Sequence, residues 1–213
     1  MLPVEETTLA IVLAGNRAGW IGGHQPFDLY DGKGAIEAIL DAVFGRVPTL
    51  APGDVPPYMH PKRSAVVLLD SRPLGVVGEI HPDVADDLEL VGRVVYAELD
   101  VAALYVLSEE LGPIQARGLP KFPAVHRDIA MLVRDEFTAQ EIADALQEAS
   151  KGLAESVTLF DLYRGDQIPD GHRSLAFRVT YRDPDATLTD KRVDKVHAGL
   201  SKIAREQFDA TLR

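Results

Sequence analysis

The chain contains no cysteine. That single absence excludes disulfides, zinc–thiolate centres and cysteine nucleophiles together, and it fits a cytoplasmic protein. No apolar run approaches the roughly 18 residues of a membrane-spanning helix. The opening MLPVEETT has neither the basic region nor the apolar core of a signal peptide, so neither a membrane span nor a leader is expected. Cations are in the minority, 22 Lys and Arg against 33 Asp and Glu, and the net charge of −11 argues against broad, nonspecific nucleic-acid binding. The motifs of common active sites are missing as well. Ser64 has no GxSxG elbow around it. Gly15, Gly19, Gly22 and Gly23 do not form a GxGxxG frame, and no HExxH pair exists to bind zinc. Nothing gathers a nucleophile, a base and an orienting group, so the chain by itself does not read as a catalyst.

What is present is an ordinary globular composition, 46% apolar and 26% charged over 213 residues, enough for one large or two ordinary domains. Charge is unevenly spread. Residues 1–120 hold 8 Lys and Arg against 17 Asp and Glu, a net of −9, whereas residues 121–213 hold 14 against 16, a net of −2. The second part therefore has room for a local basic face, which is what phosphate contact needs.

In chain order, Thr7 to Ala14 reads as a buried strand, followed by a glycine-rich loop around Trp20. Phe27 to Tyr30 is a short extended piece. Asp31 to Phe44 has helical spacing through Ile36, Ile39, Leu40 and Val43, with Gly45 as its stop. The proline-rich Leu50 to Met59 is expected to be loop. Ser64 to Leu69 and Leu74 to Ile80 form a hairpin. A short acidic helix opens at His81-Pro82, Arg93 to Leu99 is another strand, and Asp100 can cap a helix from Val101 to Leu107. His60-Pro61 and His81-Pro82 repeat a dipeptide whose histidine is expected in an extended position, because the residue before proline avoids the helical region. Asp31-Gly32-Lys33-Gly34 at a helix start is open to two readings, an anion cradle of backbone N–H groups or glycines serving turn and helix entry.

Glu109 to Pro123, with Gly112, Pro113, Gly118 and Pro120, breaks all periodicity and marks a domain boundary. Beyond it the pattern is β-α-β-β-α-β, the ferredoxin-like split unit. Its elements are a strand from Asp128 to Val133, a capping box Thr138-Ala139-Gln140-Glu141 before a helix, strands Val157 to Tyr163 and Ser174 to Tyr181, a helix capped by Thr187 or Thr189, and a short edge strand at Ala210 to Leu212. Such a sheet carries helices on one face and leaves the other open. In the hairpin, Leu175, Phe177, Val179 and Tyr181 face the helices while Arg178, Thr180 and Arg182 face out. Thr158, Phe160 and Leu162 share one face of the partner strand, which sets Phe160 on the open side. Arg164 and Arg173 stand at the hairpin ends. Phe160, Arg164, Arg173, Arg178 and Arg182 are the candidate RNA-binding residues, since an exposed aromatic beside guanidinium groups can stack a base and hold its phosphate. A solvated polar face with Phe160 covered by another domain fits the same spacing.

Several ordered segments resemble a known family. Lys121-Phe122-Pro123, Arg127-Asp128-Ile129-Ala130, Phe160-Asp161-Leu162-Tyr163-Arg164-Gly165, Arg173-Ser174-Leu175-Ala176 and Thr187-Leu188-Thr189-Asp190 are similar to the ferredoxin-fold anticodon-binding domain of bacterial-type phenylalanine–tRNA ligase β subunits. Phe27 to Gly34, His60 to Ala65 and Gly75 to Pro82 are similar to the catalytic-like domain of the same subunit. The resemblance implies an α+β chain. Residues 1–108 are then the C-terminal part of an antiparallel-sheet, class II synthetase-like, non-catalytic domain, 109–120 a linker, and 121–213 the anticodon-binding domain. It implies a fragment, with the subunit's N-terminal modules preceding residue 1. The partners implied are tRNA and the α subunit of an α2β2 enzyme. ATP and magnesium serve the holoenzyme through that α subunit, with no cofactor in this chain. A ferredoxin-like protein-interaction or small-ligand regulatory module without RNA binding is the competing reading, because fold alone does not fix function.

Overall fold

The computed structural model describes residues 5–17, 25–115 and 118–212. The chain divides into two compact units, Met1–Ala116 and Arg117–Arg213. Trp20 and its neighbouring glycines lie outside the described residues.

The first unit runs β1 (Thr8–Ala14), β2 (Asn16–Arg17), β3 (Gln25–Pro26), α1 (Leu29–Phe44), β4 (Thr49–Ala51), β5 (Met59–Leu69), β6 (Arg72–Ile80), α2 (Pro82–Asp87), β7 (Val94–Asp100) and α3 (Val101–Leu111). Five of its strands form one antiparallel sheet in the order β1-β7-β6-β5-β4. Ile36, Leu40 and Phe44 of α1 and Leu107 of α3 bury their side chains against Val67, Leu69, Leu74, Val77, Ala97 and Leu99 of the sheet. α1 starts two residues before the expected Asp31, because Asp28 is its cap. Asp28 accepts from the Tyr30 amide at 2.9 Å while Asp31 accepts from the Asp28 amide at 2.8 Å. This settles the Asp31–Gly34 turn against an anion cradle, since the helix N-terminus is filled by the chain's own carboxylates. Gly32 has a different task. A Cβ there would fall 2.7 Å from Val95 Cγ1, so only glycine lets the first turn of α1 lie on the sheet. The β5–β6 turn is tight, with Asp70 and Ser71 both at positive φ (50° and 66°), the geometry that matches strand twist in two-residue hairpins. A short β4 overlaps the start of the stretch expected to be loop, and α3 runs past Leu107 to Leu111.

The second unit runs β8 (Val125–Arg134), α4 (Ala139–Ala149), β9 (Ala154–Tyr163), β10 (His172–Tyr181), α5 (Asp190–Phe208) and β11 (Thr211–Leu212). Its antiparallel sheet has the order β11-β8-β10-β9, which is the ferredoxin-like arrangement. The α4 capping box forms as the sequence dictates, and Thr189 is the cap of α5. Ile142 and Leu146 of α4 and Val193, Leu200, Ala204 and Phe208 of α5 pack on Ile129, Met131, Val133, Leu175, Phe177, Val179 and Tyr181. All helical packing is on one sheet face. The inward set predicted for β10 is fully buried, each of its four residues at 0% exposure.

Candidate nucleic-acid interface

The helix-free face of the second sheet is assembled by cross-strand register. Ser174, Ala176, Arg178 and Thr180 of β10 stand opposite Leu132, Ala130, Asp128 and His126 of β8. The middle of the face is thus floored by two alanines, and its polar groups gather at Arg178. Arg178 Nε donates to Asp128 Oδ1 and Nη2 to Oδ2, both at 2.8 Å, a two-pronged pair that fixes the plane of the guanidinium. Those hydrogen bonds hold the Asp128 carboxyl below its ordinary range and raise Arg178 in turn. His126 Nδ1 and Thr180 Oγ1 are 3.2 Å apart one pair further along. His126, Arg127, Asp128 and Arg178 line a shallow cleft of about 410 Å³.

Phe160 reaches this face through a bulge. Asp161 pairs with Ala176 and Leu159 pairs with Phe177, which leaves Phe160 as an extra, unpaired residue in β9. Its ring lies 5.1 Å from the Arg178 guanidinium carbon and remains 52% exposed. The bulge also corrects the alternation expected for β9. Leu162 pairs with Leu175 and so belongs to the helix side, while Asp161 takes the open side opposite Ala176.

The other three candidate arginines do not join this pair. Arg164, just past the end of β9, is held by Asp135 through contacts of 2.8 and 2.9 Å. Arg173 is opposite Val133, a buried residue, so it stands on the helix side and not on the open face. Its stem is half-buried there, and Nη2 donates to the Phe137 carbonyl. Arg182 follows β10, about 13 Å along the strand from Arg178 at the usual strand rise. It donates to Glu155 at 2.9 Å and to the Phe122 carbonyl at 2.6 Å, with its side chain 25% exposed. Arg182 therefore ties the segment leading into β8 to the sheet. The structure brings Phe160 and Arg178 together and distributes the rest.

Residues that sequence reasoning missed are Asp128, His126 and the carboxylates Asp135 and Glu155. The sequence pattern starts this strand at Asp128 and leaves His126 outside it; with β8 running from Val125, the two-residue period puts both on one face. What it could not supply was the register that sets Asp128 against Arg178.

In the first unit the histidines before proline act as local braces. His60 Nδ1 accepts from the Lys62 amide at 3.1 Å, and His81 Nδ1 from the Asp83 amide at 3.2 Å. His81 has φ −59° and ψ 136°, the extended conformation expected before proline. Among the described residues no three His, Asp or Glu side chains gather as a metal site. Buried Glu79 is clasped by Arg63 at 2.9 Å and Arg93 at 3.2 Å.

Comparison with known proteins agrees with this division of the chain. Residues 120–213 match the family model of the ferredoxin-fold anticodon binding domain, and residues 1–101 match that of the phenylalanyl tRNA synthetase beta chain CLM domain. The phenylalanine–tRNA ligase beta subunit of Symbiobacterium thermophilum is 39% identical over 92% of the chain, which covers 22% of that protein. Those of Geobacillus kaustophilus and Bacillus subtilis are 36% and 32% identical, each over 99% of the chain and 26% of the relative. The chain spans about a quarter of the length of the curated relatives it matches.

Proposed function

Because the chain belongs to the phenylalanine–tRNA ligase beta subunit family, we propose that it supports the ATP-dependent attachment of phenylalanine to tRNA by holding RNA and by assembly, with the chemistry done elsewhere. In this reading residues 121–213 hold the anticodon stem and loop of tRNA(Phe). Residues 1–108 are the C-terminal part of a class II synthetase-like sheet that packs on the α subunit of an α2β2 enzyme, and residues 109–120 connect the two. ATP, magnesium and phenylalanine bind the α subunit, and the assembly is cytoplasmic. One observation carries the RNA reading: Phe160 is half exposed and set against Arg178 on a sheet face that no helix of its unit covers. An unpaired base stacking on such a ring is worth about 1–3 kcal/mol.

A polarisation titration of the 213-residue chain with a tRNA(Phe) transcript at low salt tests this. Weak, salt-sensitive binding is expected, and Phe160→Ala should weaken it about 5- to 150-fold. Binding unchanged by Phe160→Ala and by joint replacement of Arg164, Arg178 and Arg182 with Ala would remove this face from the reading. A second reading has its own observation. The outer half of edge strand β9 exposes Leu159, Leu162 and Tyr163, an apolar edge suited to protein contact. Sedimentation separates the two, since a tight homodimer indifferent to tRNA supports a protein-interaction module.

A further inference from the structure

The solvent side of α5 carries a charge arrangement unlike that of the sheet. Its buried side holds Val193, Leu200 and Ala204. At 3.6 residues per turn, Lys191, Lys195, Lys202 and Arg205 fall on one narrow stripe opposite that side, with Ala198 at its centre. All five are exposed. The stripe is about 21 Å long at 1.5 Å per residue.

Two observations set these cations apart. The first is pairing. Arg127, Arg164, Arg178 and Arg182, on the strands or at their ends, each have a carboxylate partner. Of the acids on the same helix, Asp190 and Asp194 are both spent on Arg127. Lys202 has only a 3.6 Å contact with Glu206, and Lys191, Lys195 and Arg205 have no carboxylate within 4.0 Å among the described residues. The second is position. Lys191 lies in the first turn of α5, where the positive end of the helix dipole disfavours a cation. Helix stability does not account for it.

We propose that this stripe is a second RNA contact that holds phosphodiester backbone, separate from the base-stacking face at Phe160; the proposal rests on the reading that this unit binds tRNA. The stripe suits phosphate better than an acidic protein. Its only apolar member is Ala198, so it offers none of the aromatic or aliphatic anchors that stabilise protein interfaces, whose cores are depleted in lysine. Cations on long flexible stems, spaced by turns of a straight helix, meet a phosphate chain without needing a sequence. The division of work follows from the charges. The sheet face, with its arginine neutralised, discriminates bases, and α5 supplies the salt-dependent part of the affinity.

The test is the slope of log K against log salt for the full chain and a tRNA(Phe) transcript, with circular dichroism as the folding control. Lys191→Gln/Lys195→Gln/Arg205→Gln should lower the slope by about 2 to 3 and weaken binding at low salt. Phe160→Ala should weaken binding and leave the slope alone. A triple variant that binds with wild-type affinity and slope overturns the stripe while the tRNA reading stands. A wild-type chain that does not bind tRNA overturns both. Polyglutamate captured through the same three residues, with tRNA binding independent of them, makes the stripe a protein contact and overturns the RNA assignment.

Discussion

Arg178 and Asp128 face each other across β10 and β8, joined by two 2.8 Å hydrogen bonds, with the Phe160 ring stacked against the guanidinium. The most prominent cation of the open face therefore enters any encounter with RNA already neutralised. Asp128→Asn keeps the side-chain shape and removes the negative charge, which leaves Arg178 one unit more positive in its surroundings. The variant should bind bulk tRNA more tightly than wild type at low salt, with a slope of log K against log salt steeper by up to about 1. Discrimination between tRNA(Phe) and bulk tRNA should narrow, because phosphate contact carries no sequence information. Competition titrations measure both. Loss of tRNA binding in a folded Asp128→Asn protein would instead mean that the carboxylate itself touches RNA.

Arg182 and Arg164 look alike in the sequence and differ in what they hold. Arg182 closes a link between Glu155 and the Phe122 carbonyl with a largely covered side chain. Arg164 pairs with Asp135 with 53% of its side chain in solvent. After allowance for solvent screening, Arg182→Ala should cost about 1 kcal/mol of stability and Arg164→Ala within about 0.5 kcal/mol of nothing. Urea midpoints for the two variants decide this, and equal shifts would deny Arg182 its tethering role.

Local signals were legible and long-range ones were not. The Thr138–Glu141 capping box and the burial of Leu175, Phe177, Val179 and Tyr181 depend on neighbours within one turn or on alternation within one strand, and both stand in the structure. Asp128 could not be found this way, because its partner is 50 residues distant. The bulge at Phe160 breaks the alternation of β9 in response to the strand it pairs with, so the residues beyond it changed faces. Arg173 stands at a strand end, where the sequence does not say which face it takes; register sets it opposite buried Val133, and its long apolar stem lets it lie on the helix side. α1 begins before the expected Asp31 because Asp28 caps it and Asp31 closes the capping box from the third position.

Gly75 shows a constraint of the first unit that no helix or strand propensity conveys. A Cβ there would sit 1.9 Å from the Glu98 carbonyl oxygen, which belongs to the backbone of β7 and cannot swing away. Gly75→Ala must therefore push β6 and β7 apart in the middle of the sheet, at a cost of about 3 kcal/mol or more. Thermal unfolding should show a large downward shift in the transition of the first unit. Wild-type melting of Gly75→Ala would show that the sheet yields more readily than close packing allows.

His197 should govern the pH dependence of the second unit near neutrality. Its Nδ1 lies 3.0 Å from the hydroxyl of Tyr181, which is fully buried and pushed up to about 12 by that burial. The phenol therefore keeps its proton and donates it, and the histidine fits as the neutral, accepting ring. Burial and then the charge of Arg127 lower the His197 pKa from its ordinary 6.5, outweighing the opposite pull of Asp194 and Asp128. A folded pKa below the unfolded one means that the unfolded chain takes up the proton first as pH falls. The contribution is therefore whole above about pH 7 and declines below the unfolded value near 6.5 until the folded pKa is reached. Carboxylates held low in the fold, such as Asp128, act in a separate and more acid window. Urea midpoints followed from pH 8 down to about 5 should stay level and then fall in wild type. His197→Gln, whose amide oxygen can still accept from Tyr181, should remain nearly level over that range. An equal fall in both proteins would assign the pH dependence to other groups.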